Sequence, residues 1–215
     1  MTTITPDEMK SLETLFMSET GTPSILLMEH AAQGVAAAIA RHAPKSARVL
    51  FLCGPGNNGG DGYAAARLWC SGGGQADVWE VTSAVRGDAL TNRTLALLHG
   101  VRVLPSVDAV DVAEYAAVVD ALYGTGLNHA IEGDAAILIH RLSDHPQIPV
   151  IAVDIPSGLD GTTGRALGAD VVRAAETVTF HRIKQGLLLR QGVEYTGKIT
   201  VQPVSYTHLR AHETA

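Results

Sequence analysis

The sequence predicts an α/β fold: a doubly wound layer sandwich with a mostly parallel sheet and two leading helices. Three observations predict it. The short apolar runs are continuous rather than alternating, as strands covered on both faces require. Helical stretches separate most of these runs, which is the connection a parallel sheet needs. The segments just after several runs are polar and glycine-rich, and open parallel sheets bind ligands beyond the carboxyl ends of their strands.

Thr5, followed by Pro6, Asp7 and Glu8, reads as a helix start, with a hydroxyl cap, a proline where no amide partner is needed and acids at the positive end. Met9, Leu12 and Phe16 then share one face. Thr22 and Pro23 repeat the grammar and open a second helix, in which Leu27, Met28, Ala31, Val35 and Ile39 follow a three-to-four spacing. From Ala47 the pattern alternates: ARVLFLC, a helix near 61–70, ADVWEV, a helix near 88–99, and VRVLP. AAVVDAL, a helix near 134–142, PVIAVDI, ETVTF and KITVQP complete it. No repeat or linker divides residues 1–203, which form one domain. The segment from Val204 to Thr214, VSYTHLRAHET, has no hydrophobic period or turn logic and looks like a translated sequencing adapter. Residues 204–215 are therefore set aside as an artefact tail, and His208 and His212 are given no metal role.

At roughly 150 residues per domain, 215 residues suit one generous domain with a sizeable core. A hydrophobic share of 46% against 18% charged excludes a disordered chain or a coiled coil. Lysine and arginine total 16 against 22 acidic residues, a net charge of −6, which argues against nucleic acid as a partner. Cys53 and Cys70 cannot form a disulfide framework. No apolar run approaches 18 residues and no signal-like start is present, so a cytoplasmic protein without a membrane partner is expected.

Three loops carry the chemistry. Residues 54–62 read GPGNNGGDG between a strand and a helix, where glycines admit a ligand to the backbone and free amides receive phosphate oxygens. Gly54, Gly56 and Gly59 also satisfy GxGxxG, and Glu80 follows at about the dinucleotide-fold distance of roughly 20 residues. That alone would suit a nicotinamide-dependent oxidoreductase, but it accounts for one loop only, and a plain tight turn explains it too. The second loop follows Asp120 and contains Gly124, Thr125, Gly126 and Leu127. The third follows Asp154 and reads IPSGLDG. An aspartate at one strand end could be a turn anchor; two at equivalent ends, with Asp61, point to a shared pocket.

Such an acidic pocket would repel a phosphate ester unless a cation stood between them. Asn58, Asp120, Ser157 and loop carbonyls offer hard oxygens suited to an alkali or alkaline-earth ion rather than zinc.

Together the blocks LFLCGPGNNGGDGYAAARLW, VVDALYGTGL, VDIPSGLDGTTG and TVTFHRIKQGLLL resemble the YjeF N-terminal domain family, whose enzymatic members are NAD(P)H-hydrate epimerases. The resemblance runs from the first helices to about Val201. It implies a Rossmann-like three-layer αβα domain, usually a homodimer, that interconverts the two epimers of hydrated NADH or NADPH (NADHX and NADPHX). A fused or separate dehydratase would complete the repair. By motif, Asn57, Asn58, Gly59, Gly60 and Asp61 would bind substrate, as would Gly124, Thr125, Gly126, Leu127, Asn128, His129 and Ala130. Asn58, Asp120 and Ser157 would hold potassium (K+), and Asp154 would contact substrate and serve as the catalytic acid and base. Leu127-Asn128-His129-Ala130 departs from the arginine and proline that relatives often carry there. The fold also occurs in non-catalytic scaffolds, and retention of Asn58, Asp61, Asp120 and Asp154 argues for catalysis.

Lys184 could face the pocket or be an ordinary exposed lysine. Cys53 reads as a small buried residue, Trp69 and Trp79 as packing, and His30, His42, His99, His140, His145 and His181 as solvated or capping groups.

Overall fold

The computed structural model describes residues 3–204. Strand β1 (Thr3–Ile4) precedes α1 (Pro6–Thr20) and α2 (Ser24–His42). Strands and helices then alternate through β2 (Arg48–Cys53), α3 (Asn57–Ser71), β3 (Gln75–Glu80), α4 (Gly87–Leu98) and β4 (Arg102–Val103). After two short 3-10 turns come β5 (Ala117–Ala121), α5 (Gly133–Ser143), β6 (Val150–Val153) and β7 (Glu176–Phe180). The two-residue β8 (Ile183–Lys184), α6 (Gly192–Thr196) and β9 (Lys198–Gln202) complete the order.

Seven strands form one sheet in the order β4-β3-β2-β5-β6-β7-β9, and every pairing in it is parallel. Residues 49–53 of β2 are wholly buried. Val49, Phe51 and Cys53 pack with Phe16, Ala31, Val35, Tyr63 and Ala89 from the first four helices. Leu50 and Leu52 pack on the other face against Leu138 and Ile139 of α5. Each large side chain so buried is worth about 1.5–3 kcal/mol, and covering on both faces explains why the runs do not alternate. The three-layer expectation is met. From β2 the chain winds outward to β4, then returns to β5 and winds the other way, so the order reverses between β2 and β5. A crevice opens there, beyond the carboxyl ends of the strands.

The first helix start is as read: Thr5 Oγ1 accepts from the Glu8 amide at 3.2 Å, and Glu8 Oε2 accepts from the Thr5 amide at 2.8 Å. The second differs. Pro23 occupies the capping position with no side-chain cap, and the Thr22 hydroxyl lies 2.7 Å from that of Thr20. Helix α3 begins at Asn57, four residues before the expected start, although NNGGDG is a poor helix former. Tertiary packing explains it: a Cβ on Gly60 would sit 2.7 Å from the Met28 methyl, and one on Gly62 2.6 Å from the Ala121 Cβ. Only glycines let α3 lie so close to α2 and the sheet.

Val204, the first residue of the segment set aside as a tail, is buried in the first core; residues 205–215, with His208 and His212, lie outside the described residues. Trp69 and Trp79 are packed as expected, and both cysteines are free. Among the described residues no helix is long and apolar enough to cross a membrane.

Candidate active site

A cleft of about 620 Å³ occupies the crevice. Its floor is the strand-to-helix junction at residues 54–57. A Cβ on Gly54 would fall 1.7 Å from the Leu122 carbonyl oxygen, and one on Gly59 2.0 Å from the Gly54 carbonyl oxygen. These two glycines therefore serve close backbone packing. Gly56, with nothing near its missing Cβ, caps α3 without a side-chain hydrogen bond. The first amides of α3 thus face the cleft unpaired by any cap, and the helix dipole reinforces their preference for an anion.

Beside the floor runs the 122–127 turn, anchored from below. Asp120 is fully buried: Oδ1 accepts from the Ser157 hydroxyl at 2.6 Å and the Leu122 amide at 3.2 Å, and Oδ2 from the Ser157 amide at 2.8 Å. Ser157 Oγ in turn accepts from the Tyr123 amide at 2.9 Å. Burial pushes the Asp120 carboxyl up to about 6 although these hydrogen bonds work against it. The Asn58 side chain reaches the same turn from above, since a Cβ on Gly124 would lie 3.1 Å from Asn58 Oδ1. Asn58 Nδ2 is buried without a hydrogen-bond partner.

The far wall holds charge. Asp154 follows β6 with φ at 67°, a conformation that costs a non-glycine residue about 1–3 kcal/mol and concentrates at functional sites. Its Oδ1 lies 2.5 Å from Lys184 Nζ, and the Thr179 hydroxyl donates to it at 3.3 Å. Lys184 is 2% exposed and also donates to the Phe180 carbonyl at 3.1 Å. Asp61 from α3 and Glu13 from α1 line the same cleft. Burial pushes the Asp61 carboxyl well above its ordinary value, Asp154 and Glu13 add to that, and Lys184 opposes it. Burial raises Glu13 as well, with Lys184 again opposing and Asp154 adding.

Of the residues singled out by sequence, Asn57, Asn58, Asp61, Gly124, Thr125, Gly126, Leu127, His129 and Asp154 line the cleft. Gly59 and Gly60 do not; they are buried in α3, where they pack. Asn128 is exposed outside it, and Ala130, whose carbonyl accepts from His129 Nδ1 at 2.8 Å, packs near Gly168. Asp120 and Ser157 stand behind the turn. Glu80 is committed elsewhere, accepting from both ends of the Arg93 guanidinium at 2.7 and 2.8 Å and from the Tyr63 hydroxyl at 2.8 Å. It is not free to receive a ribose.

Sequence reasoning missed the contribution of α1. Pro6, Asp7, Met9, Lys10 and Glu13 form a side of the cleft because β1 pairs in parallel with β8, setting Ile4 beside Lys184. The signal available was a capped amphipathic helix whose first turns carry Asp7, Lys10 and Glu13.

Residues 24–186 match the family described as YjeF-related protein N-terminus. A protein of Weissella koreensis named NAD(P)H-hydrate epimerase is 34% identical over 211 residues, which cover 98% of this chain and 95% of that protein. A bifunctional NAD(P)H-hydrate repair enzyme of Thermanaerovibrio acidaminovorans is 37% identical over 190 residues, covering 86% of this chain and 37% of its own length. The crystal structure of the yeast protein ynu0 has the same fold, with a TM-score of 0.78 at 21% identity over 94% of this chain and 87% of that one. With the family match spanning most of its length and a relative of this identity aligned nearly end to end, the chain belongs to the YjeF-related N-terminal family.

Proposed function

We propose that this chain is an NAD(P)H-hydrate epimerase, an isomerase that interconverts the R and S forms of hydrated NADH and NADPH. The observation that carries the reading is the Asp154–Lys184 pair, set at a strained strand end in a cleft that also receives the uncapped start of α3. The nucleotide phosphates lie against the α3 amides, and the modified ring lies against Asp154.

The reaction breaks and remakes one bond. Asp154 passes a proton to the C6 hydroxyl, the C6–O bond breaks with loss of water, and the ring nitrogen lone pair closes an iminium. Water then adds to C6 from the other face and gives up its proton to a carboxylate. A placed acid or base is worth about 10²- to 10⁴-fold, and Lys184, lacking access to bulk water, holds Asp154 in place throughout.

Asn58, Asp120 and Ser157 are the residues that would hold potassium. The donor set is suited to it: neutral amide and hydroxyl oxygens with one carboxylate. Asn58 Oδ1, beside Gly124, and the remaining lone pair on Asp120 Oδ2 are the oxygens such an ion would use. A bound ion would supply a fixed positive charge opposite Asp120 and near phosphate or ribose oxygens. Under the same reading the protein works as a cytoplasmic homodimer beside a dehydratase that consumes one epimer.

The test is interconversion of the separated epimers by the purified chain, followed chromatographically with potassium exchanged for sodium. Asp154→Asn, folded by circular dichroism, should lose at least about 10²-fold. Failure of the wild type to bind or interconvert either epimer would leave a non-catalytic scaffold as the better reading.

A further inference from the structure

Inverting a carbon that bears a hydroxyl makes a demand that one carboxyl does not meet. The oxygen departs from one face of the ring and the new one arrives at the other, so one group should face each side. Asp61 has the right placement for the second. It is 9% exposed, lines the cleft from α3 rather than from the β6 end, and makes no hydrogen bond or ion pair among the described residues. A buried carboxyl without a partner is costly, and here it is aimed into the space where a ligand binds. Behind it lies a side pocket of about 130 Å³, which Asp61 shares with Glu13, Ser24, Asn57 and Asp88. That volume holds several water molecules with polar partners. Asp61 thus lines both the substrate cleft and this side pocket, whereas Asp154 lines the cleft only.

We propose that Asp61 is a second catalytic acid–base residue, serving the face of the nicotinamide ring opposite to Asp154. This rests on the epimerase reading. One proton is shared between the two carboxyls. It starts on Asp61, which makes no ion pair, while Asp154 lies 2.5 Å from the Lys184 ammonium. Asp61 donates to the departing C6 hydroxyl of one epimer, water leaves, and Asp154 takes the proton of the water that adds to the iminium. The proton now lies on Asp154, and the other epimer is processed in reverse. No oxidant or reductant is consumed and one water leaves for each that enters. The rise in the Asp61 carboxyl that burial causes is in keeping with this starting state.

The experiment reads inversion and oxygen exchange separately, with each epimer incubated in ¹⁸O-water. Wild type interconverts the epimers and labels both. Asp61→Asn should lose inversion by about 10²-fold or more, yet the epimer whose hydroxyl faces Asp154 should still take up label with its configuration retained. Inversion within a few-fold of wild type, or equal loss of inversion and of exchange in both epimers, overturns the assignment. Asp61→Ser gives the same two readouts if the asparagine variant does not fold. A wild type that neither inverts nor exchanges refutes the epimerase reading itself, an outcome distinct from both.

Discussion

Replacing Lys184 with methionine keeps most of the apolar stem and removes the ammonium. Two contacts go with it: the 2.5 Å ion pair to Asp154 Oδ1 and the 3.1 Å bond to the Phe180 carbonyl. Water cannot substitute, because the position is 2% exposed. Asp154 is left with the Thr179 hydroxyl at 3.3 Å and with Asp61 and Glu13 lining the same cleft. Removing one partner of a buried pair costs about 3–5 kcal/mol, and the thioether's burial returns about 1 kcal/mol. The expected net loss is about 3 kcal/mol, within the 5–15 kcal/mol or so that a domain has to lose. Urea unfolding at neutral pH measures it. The double variant Lys184→Met with Asp154→Asn removes both charges and should recover about half of that loss, since neither partner then remains unpaired. A single variant within about 1 kcal/mol of wild type, or a double variant no more stable than the single, would refute the pairing as the support of this wall.

Gly54→Ala should prevent folding or lower the urea midpoint severely, because its Cβ meets the Leu122 carbonyl, whereas Gly56→Ala, with open space, should unfold within about 1 kcal/mol of wild type. Ser157→Ala leaves Asp120 Oδ1 and the Tyr123 amide short of a partner and should cost about 3 kcal/mol, read by thermal unfolding. Glu176 is buried, which opposes its charge, yet hydrogen bonds from Arg41, Thr200 and His42 hold its carboxyl down at about 2. Its folded value lies below the unfolded one, so its contribution is present above about pH 4.5 and is lost as pH falls toward 2. Glu176→Gln should therefore be less stable than wild type at neutral pH, and the gap should close on acidification.

The layers and their order were legible because a parallel sheet writes itself as buried runs: VLFLC of β2 could belong nowhere but inside. The loops were legible because glycine, asparagine and aspartate crowd three strand ends together, where one such end alone would read as a turn. What escaped depends on burial and distance. Nothing local to Lys184 distinguishes it from a surface lysine; β1 pairs beside it, Asp154 and Phe180 contact it, and it is left 2% exposed. Glu13 looked like an ordinary polar residue of an amphipathic helix. Glu80 was misleading, since its spacing from the glycines was right but Arg93 and Tyr63 already occupy it. Gly59 and Gly60 were assigned to a ligand when steric room for α3 is reason enough for both.

The pairing of Ile4 with Lys184 joins residues near opposite ends of the described chain. Closing so long a loop is entropically late and slow relative to the local turns and βα units. A nascent polypeptide emerging from the ribosome can therefore assemble much of its sheet while the wall that holds Lys184 is still unmade. This side of the cleft waits for β8, so a product truncated before that strand would fold in part and lack the buried lysine.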